Sequence, residues 1–371
     1  MNKIGFGFLR LPLLDPKNDQ TTDYEELNRM VDAFLASGQN YFDTAWTYMD
    51  GESENAIRKA VVERYPRKSF RLADKLPGYL AKSEEDSERY FQESLARTGA
   101  GYFDVYLVHG VDSESYERSK KLRHFDFVRQ LKAEGRVREI GFSFHDNADV
   151  LRQILEEQPG MDCVQLQINY LDWDSDSVQS RKCLEVAEEF GKKVIVMEPV
   201  KGGSLVNLPA EADMILRGLN GGSNASYALR FAASFPNMAM VLSGMSNMEQ
   251  MEDNLSAMRN FEPLSDAEMD AVKRVCDIFR SLNLVPCTGC RYCVDESQCP
   301  MGIRIPDMFS SLNAHEAFHN WNTGYYYNNV ITGEGHGKAS ACIRCGKCEK
   351  VCPQHLPIRE LLKKVAITFE G

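Results

Sequence analysis

The chain has 371 residues and a formal net charge of −11 at pH 7. Its length fits a barrel of about 250 residues with an additional domain. A nucleic-acid-binding protein would show a basic patch or stripe, and the sequence has no long basic run. No segment approaches the ~18 consecutive apolar residues that suggest a membrane span. We therefore expect no nucleic-acid partner and no membrane partner.

The N-terminal segment contains a basic residue and a short apolar stretch, as signal peptides do. Arg10 interrupts that stretch, and no cleavage site of small residues follows it. We interpret the segment as the first strand region of the fold and expect a cytoplasmic protein.

Over the first 260 residues, short apolar runs alternate with longer amphipathic runs. The predicted strands are Ile4–Leu9, Asn40–Thr44, Phe70–Lys75, Phe103–His109, Arg138–Ser143, Asp162–Ile168, Lys193–Met197 and Ala239–Ser243. The predicted helices are Tyr24–Ser37, Glu52–Arg64, Glu84–Arg97, Phe125–Glu134, Ala148–Glu157, Ser177–Phe190, Asn224–Ser234 and Met248–Met258. Eight such repeats favour the α/β class, with a parallel sheet closed into a (β/α)8, or TIM, barrel. An open doubly wound sheet is the alternative, but Gly5-Phe6-Gly7 lacks the helix and third glycine of its phosphate-binding turn.

Polar side chains stand at the ends of consecutive predicted strands, where barrel enzymes carry their active sites. Asp43, Lys75 and His109 end the second, third and fourth strands, and Tyr48 follows in the loop after Asp43. A carbonyl that receives hydride needs a proton, and a tyrosine is a reluctant donor unless a buried lysine favours its phenolate form. An aspartate can hold that lysine, and a histidine can orient the carbonyl oxygen. The four residues predict a proton-delivery site.

Eight of the eleven cysteines lie between Cys287 and Cys352. They form two arrays of the pattern C-x2-C-x2-C followed by Cys-Pro, and the second array matches the bacterial ferredoxin run residue for residue. In that architecture the fourth cysteine serves the other cluster. The predicted ligands of one [4Fe-4S] cluster are Cys287, Cys290, Cys293 and Cys352, and those of the other are Cys342, Cys345, Cys348 and Cys299. Structural zinc is the alternative, although zinc usually takes two C-x2-C pairs.

Several segments of the chain resemble the aldo-keto reductase family, and the resemblance covers roughly residues 1–260. Phe42–Tyr48 followed by Gly51–Glu54 resembles its signature, and Ala73–Lys75 and Tyr106–His109 resemble the segments with its lysine and histidine. Gly141–Ser143 resembles its nicotinamide-contact motif. The resemblance implies a catalytic tetrad of Asp43, Tyr48, Lys75 and His109, with Tyr48 as the general acid.

The resemblance also implies a nicotinamide site at the barrel mouth. The implied cofactor-binding residues are Gly7, Phe8, Asp43, Ser143, Gln165, Met197, Pro199, Gly244, Ser246, Gln250 and Asn254. Some positions depart from the family: Met197 stands where many members have an aromatic residue, and Gly244 and Gln250 stand where NADPH-dependent members have cations. NADP(H), NAD(H) and a flavin therefore stay open as cofactors.

We place the barrel in residues 1–275 and a mostly helical, ferredoxin-like 2[4Fe-4S] domain in residues 276–371. This combination identifies the chain as resembling an iron–sulfur subgroup of the family. The first hypothesis for function is reduction of a small carbonyl substrate with a nicotinamide cofactor, with clusters for electron transfer. The alternative is an iron–sulfur electron-transfer enzyme or redox carrier with a flavin or other acceptor in the barrel mouth. A ferredoxin-like protein could donate or accept electrons in either case.

Overall fold

The computed structural model describes residues 3–16, 18–175, 178–219, 221–259, 261–282, 284–295, 297–318, 323–333 and 335–371. The chain divides into two compact units, one comprising residues 3–199 and 225–264 and the other residues 200–224 and 265–371. Helix Asp266–Leu282 runs across the proposed domain boundary at residue 275, and that boundary stays a prediction.

Eight parallel strands form a closed barrel in chain order. They are β1 Ile4–Gly7, β2 Tyr41–Asp43, β3 Arg71–Leu76, β4 Phe103–Val111, β5 Val137–Phe144, β6 Cys163–Gln167, β7 Lys193–Met197 and β8 Met238–Gly244. The barrel closes because β1 pairs with β8, with Gly7 opposite Gly244. The predicted (β/α)8 barrel is confirmed, and each predicted strand overlaps an observed one.

Helices alternate with the barrel strands, and further helices form the cysteine-containing unit. In chain order the helices are α1 Tyr24–Ala36, α2 Glu52–Ile57, α3 Glu85–Thr98, α4 Ser113–Lys121, α5 His124–Ala133, α6 Ala148–Glu157, α7 Ser180–Glu189, α8 Ala210–Arg217, α9 Asn224–Ala233, α10 Met248–Arg259, α11 Asp266–Leu282, α12 Tyr292–Asp295, α13 Ile305–Phe318, α14 Thr323–Tyr326, α15 Lys347–Lys350 and α16 Ile358–Glu370. The helix predicted at Glu52–Arg64 is α-helical only to Ile57 and continues as a π-helix over Arg58–Val62. Ser177, where a helix was predicted to begin, lies outside the described residues.

A layer of side chains fills the inside of the barrel. Tyr41, Ala73, Val105, Leu107, Cys163, Ile195, Met240 and Leu242 form this buried cluster. Because side chains alternate along a strand, residues two positions further along face the same interior. Asp43, Lys75, His109 and Gln165 each follow a member of the cluster by two residues. The polar residues therefore form the next layer, at the C-terminal ends of the strands.

The cysteine arrays of the second unit lie in two similar halves, each with a cysteine loop, a short helix and a longer helix. The short helices α12 and α15 contain the third cysteine of their arrays, and the longer helices α13 and α16 follow further along the chain. Three pairs of matched positions share left-handed backbone: Gly289 with Arg344, Arg291 with Gly346, and Gly302 with His355. The longer spacing before Cys299 thus leaves the loop geometry of the two halves alike.

The first cysteine loop is covered by a segment from the same unit. Gly202 adopts a φ of 63° and lies so close to Thr288 that a Cβ atom would collide with the Thr288 carbonyl oxygen. Thr288 is 3% exposed. Any larger residue at position 202 would push the covering segment away from the loop.

In the part of the chain that the structure describes, no helix combines the length and apolar character required to cross a lipid bilayer.

Candidate functional site

Lys75 and Asp43 form a buried ion pair in the polar layer of the barrel. Lys75 Nζ donates to Asp43 Oδ1 at 2.6 Å and to the carbonyl oxygen of Thr44 at 2.7 Å. Gln165 Nε2 donates to the other oxygen of Asp43 at 3.5 Å. Burial raises the pKa of Asp43, and the Lys75 ammonium opposes that rise. The aspartate therefore holds the lysine in place inside the barrel.

Tyr48 lies next to this pair, on the short 3-10 segment Tyr48–Gly51 after β2. The Lys75 ammonium sits over its ring, 4.5 Å from the centroid. A cation at this distance is attracted by the ring electrons. The next two residues, Met49 and Asp50, adopt left-handed backbone, with φ of 52° and 50°, so the chain bends directly after Tyr48.

His109 is the fourth predicted residue, and the structure brings it to the same place. Its ring lies edge-on to the ring of Tyr48, with the centroids 5.7 Å apart. Burial holds the pKa of His109 well below its ordinary value, and the charges of Lys75 and His145 lower it further. The imidazole is therefore neutral at neutral pH and can donate one hydrogen bond to a carbonyl oxygen.

Sequence reasoning missed a second tyrosine at this mouth. The ring of Tyr79, in the loop after β3, lies 5.7 Å from that of His109. Its hydroxyl is 3.3 Å from Thr47 Oγ1, and its carbonyl oxygen accepts a hydrogen bond from Arg118. The available signal was its position four residues after Lys75, in a loop on the active side of the barrel.

A buried pair of carboxyl groups lies on the outer side of β3, behind Lys75. Asp74 and Glu54 are both fully buried, and one carboxyl oxygen of each has no hydrogen-bond partner among the described residues. Burial, and then the Glu54 charge, raise the pKa of Asp74 well above its usual range. Arg97 donates to Glu54 at 2.8 Å, while the Lys75 backbone N–H donates to Asp74 Oδ1 at 2.7 Å. Because burial and the neighbouring Glu54 charge both favour the protonated form, we infer that Asp74 carries a proton.

Replacing Asp74 with asparagine is expected to stabilise the protein increasingly as the pH rises. The native state keeps a proton on Asp74 that the unfolded chain loses above a pH of about 4. The free energy of unfolding of the wild type therefore falls as the pH rises above that value. The amide of asparagine donates to Glu54 without this cost. Denaturant unfolding should show the variant gaining about 1–3 kcal/mol over wild type between pH 5 and pH 8. The Asp149→Asn variant, at an exposed position, is the matched control. An equal gain in the free energy of unfolding there would contradict the proton on Asp74.

The residues implied for the nicotinamide end of the cofactor lie on β5, β6 and β7. Ser143 is buried, and its Oγ accepts from the Gly110 N–H at 2.8 Å. Met197 and Pro199 follow at the end of β7, on either side of Glu198, which has a φ of 54°. Phe8 is implied as well, but its ring packs in the core, 4.8 Å from that of Phe6.

The residues implied for the adenosine end cluster between β8 and α10. The Ser246 N–H donates to Gln250 Oε1 at 2.8 Å, and Asn254 Nδ2 donates to Ser243 Oγ at 2.9 Å. The Cβ of Arg10 lies against Gly244, and the Arg10 carbonyl oxygen accepts from Ser246 Oγ at 3.3 Å. The sequence predicts no cation at this end of the site, because positions 244 and 250 lack one, and Arg10 reaches it from the first loop.

Two cavities in the other unit are each lined by one of the predicted cysteine sets. Cys287, Cys290, Cys293 and Cys352 line one cavity. Cys299, Cys342, Cys345 and Cys348 line the other. Within the described residues, no three His, Cys, Asp or Glu side chains lie as close together as the ligands of a single metal ion. Each cavity thus draws three cysteines from one array and the fourth from the other.

The thiols of these cavities sit in surroundings that disfavour negative charge. Burial raises the pKa of Cys348 to about 11, with the Glu349 carboxylate and Cys342 adding to the rise. Burial and the neighbouring cysteines raise the pKa of Cys293 as well. A thiolate here needs strong cations beside it, and iron ions supply that charge. The donor type and the number of cysteines fit a four-iron cluster in each cavity.

Comparisons with known proteins agree with this division of the chain. The model of the aldo/keto reductase family matches residues 3–277, and that of the 4Fe-4S dicluster domain matches residues 286–356. An uncharacterized oxidoreductase, YqkF of Bacillus subtilis, is 24% identical over 304 residues, which cover 74% of this chain and 92% of that protein. L-galactose dehydrogenase of Arabidopsis thaliana is 25% identical over 245 residues, covering 61% and 76%.

Solved structures show the same fold. Aldo-keto reductase AKR11C1 of Bacillus halodurans superposes with a TM-score of 0.58 at 24% identity, covering 74% of this chain and 91% of that one. An aldo-keto reductase of Klebsiella pneumoniae in complex with NADPH gives a TM-score of 0.58 at 19% identity, covering 74% and 90%.

Proposed function

We propose, from the premise that this chain belongs to the aldo/keto reductase family, that it reduces a small carbonyl compound in the mouth of its barrel. The chain is an oxidoreductase with a 4Fe-4S dicluster domain. The observation that carries the proposal is the convergence of Tyr48, the Lys75–Asp43 ion pair and neutral His109 at the C-terminal ends of β2, β3 and β4.

In the proposed reaction a reduced nicotinamide, when bound, supplies hydride to the carbonyl carbon. Tyr48 gives its hydroxyl proton to the carbonyl oxygen, which becomes the alcohol, and then regains a proton from solvent. Lys75 stabilises the phenolate that is left, because its ammonium lies over the ring. His109 donates a hydrogen bond that orients the carbonyl oxygen. Asp43 holds Lys75 in position.

We propose NADP(H) as the nicotinamide. Arg10 lies against Gly244 and Ser246, where the adenosine end of the cofactor is expected, and can meet a 2′-phosphate there. The Klebsiella pneumoniae structure in complex with NADPH is a relative of the same fold. Initial rates with NADPH and with NADH test this preference, and a lower KM for NADH would contradict it.

We further propose that the cysteine cavities hold two [4Fe-4S] clusters that exchange single electrons with a protein partner. When bound, such clusters supply one-electron chemistry. The two cavities, each with four cysteines drawn from both arrays, support this assignment. Cytoplasmic location fits the reduced thiols that cluster ligation requires.

Replacing Tyr48 with phenylalanine is expected to lower kcat for NADPH-dependent carbonyl reduction by about 100-fold or more, since general acids contribute about 10²–10⁴-fold. A panel of small aldehydes and ketones, followed by loss of NADPH absorbance, provides the assay. Tyr79→Phe, which removes the other hydroxyl of the mouth, should cost less than about tenfold. The opposite ranking of the two variants would make Tyr79 the acid.

A second candidate function is electron transfer to a flavin or another acceptor in the barrel mouth. The observation that favours it is the presence of two four-cysteine cavities in a chain whose hydride chemistry has no need of single electrons. An absorption spectrum of anaerobically purified protein, with analysis of released cofactor, separates the two. Released flavin would favour electron transfer, and nicotinamide binding without flavin would favour direct carbonyl reduction.

A further inference from the structure

The two similar cysteine loops differ in how much of their surface is open. In the first loop Thr288 is 3% exposed and lies under the segment around Gly202. Its counterpart in the second loop is Ile343, which is 60% exposed. Cys345 is the exposed cysteine of the eight, whereas its counterpart Cys290 is partly buried. One loop is therefore covered within its unit, and the other presents an apolar side chain and a cluster ligand to solvent.

The charge around the open loop contrasts with that of the whole chain. Residues 338–371 contain seven Lys and Arg residues against three Glu residues, in a protein of net charge −11. Lys347 and Arg359 line the second cavity itself. Arg344 and Arg359 are paired with Glu360 and Glu349. Neither Lys347 nor Lys350 forms an ion pair with any residue that the structure describes. The open loop thus has a local positive potential on a negatively charged protein.

The first loop has no such excess. Arg291, which stands at its rim, faces Asp295 at 3.6 Å and Asp307 at 3.8 Å. Its charge is therefore largely balanced locally. The second cysteine loop is therefore both more exposed and more positively charged than the first. Both properties apply to Ile343–Lys347 and to the start of α16.

We propose that this face, comprising Ile343, Arg344, Cys345, Lys347, Lys350 and Arg359, is the docking surface for a small acidic one-electron carrier protein. The proposal rests on the proposed one-electron role of the clusters. Redox encounter complexes are small and weak, and long-range attraction between opposite charges speeds their formation. Ile343 provides the apolar contact at the centre, Lys347 and Lys350 attract the acidic partner, and the exposed ligand Cys345 shortens the path for the electron. One electron passes from the reduced carrier to the adjacent cluster, and the carrier leaves oxidised.

The test uses the anaerobic, cluster-loaded full chain and a reduced acidic plant-type ferredoxin as the probe. Stopped-flow absorbance gives the second-order rate of cluster reduction, and titration calorimetry gives the affinity of the oxidised proteins. For the unaltered protein, raising the ionic strength from about 0.01 M to 0.5 M should lower both by about tenfold or more, because the Debye length shrinks from about 30 Å to a few Å. A rate or affinity independent of salt would overturn the proposal without any variant.

Charge reversal locates the surface. Lys347→Glu/Lys350→Glu should lower the rate and the affinity by about tenfold at low salt, and the difference should vanish at high salt. Lys68→Glu, an exposed position in the barrel unit, is the control for net charge and should change both by less than about twofold. An equal loss in Lys68→Glu would overturn the docking site. So would binding to anionic phosphatidylglycerol vesicles in place of the ferredoxin. Carbonyl reduction by NADPH is measured separately. It distinguishes failure of the proposed docking surface from failure of the proposed function.

Discussion

Replacing Lys75 with methionine is expected to abolish carbonyl reduction and to lower the free energy of unfolding by about 3–5 kcal/mol. Methionine has a similar volume but no charge, so Asp43 keeps its burial and loses the ammonium 2.6 Å away. Removing one partner of a buried ion pair leaves an uncompensated charge, which is why the cost is large. Kinetics with NADPH and denaturant unfolding measure the two effects.

The pH dependence of this variant follows from the same pair. Burial already raises the pKa of Asp43, and Lys75 opposes that rise, so its removal moves the pKa further upward. A group whose pKa is raised in the folded state costs stability as pH rises above its unfolded pKa of about 4. The stability deficit of Lys75→Met should therefore grow from pH 4 towards pH 8.

A double variant separates the structural from the catalytic role of Lys75. Lys75→Met/Asp43→Asn removes the orphaned charge and should recover most of the lost stability, yet it should remain inactive because no cation lies over the ring of Tyr48. Carbonyl reduction by the stable double variant would show that Lys75 acts only through the fold.

The Cys352→Ala variant is expected to lose the cluster bound by the first cysteine array. It should keep the cluster of the second array, to which Cys352 belongs in the sequence. Cys352 lines the cavity with Cys287, Cys290 and Cys293. Iron content should fall from about eight to about four atoms per chain in Cys352→Ala, as expected if one of two four-iron clusters is lost. Alanine is chosen because a serine oxygen could replace the sulfur as a ligand.

Pairs of variants decide whether ligation crosses between the arrays. Cys287→Ala/Cys352→Ala should retain about four irons, because both positions belong to one cavity. Cys342→Ala/Cys352→Ala should retain almost none, because it damages both cavities. The reverse pattern would mean that each array holds its own cluster. Cys183→Ala, a buried cysteine of the barrel unit, should keep the full iron content.

Strong periodic patterns account for what could be predicted from the sequence. The eight strands are short apolar runs between turns, and each prediction overlaps the observed strand. α4 was missed because Ser113–Lys121 has no apolar stripe and buries only Tyr116 and Ser119 among its residues. The π-helix at Arg58–Val62 was predicted as plain helix, since one inserted residue leaves the helical pattern almost unchanged.

The candidate site was predictable where a residue lies near the C-terminal end of a strand and faces inward. Asp43, Lys75 and His109 satisfy this rule, and the structure brings them together. Asp74 sits beside Lys75 in the same strand but faces outward, and the sequence gives no sign that its partner is Glu54 on α2. Tyr79 and Arg10 lie in loops, whose paths depend on contacts distant in the chain. Such neighbours in space can be identified only from the three-dimensional structure.

The division of the two units along the chain affects the order in which the protein can be assembled during synthesis. Residues 200–224 belong to the cysteine-containing unit but are translated before β8, the strand that closes the barrel. Domains generally fold as they leave the ribosome, at about 5–20 residues per second. All the barrel strands can therefore be in place before the cysteine loop that contains Thr288, which this segment covers, has been translated. Folding of the cysteine-containing unit thus begins when residues 200–224 are already joined at both ends to folded barrel strands.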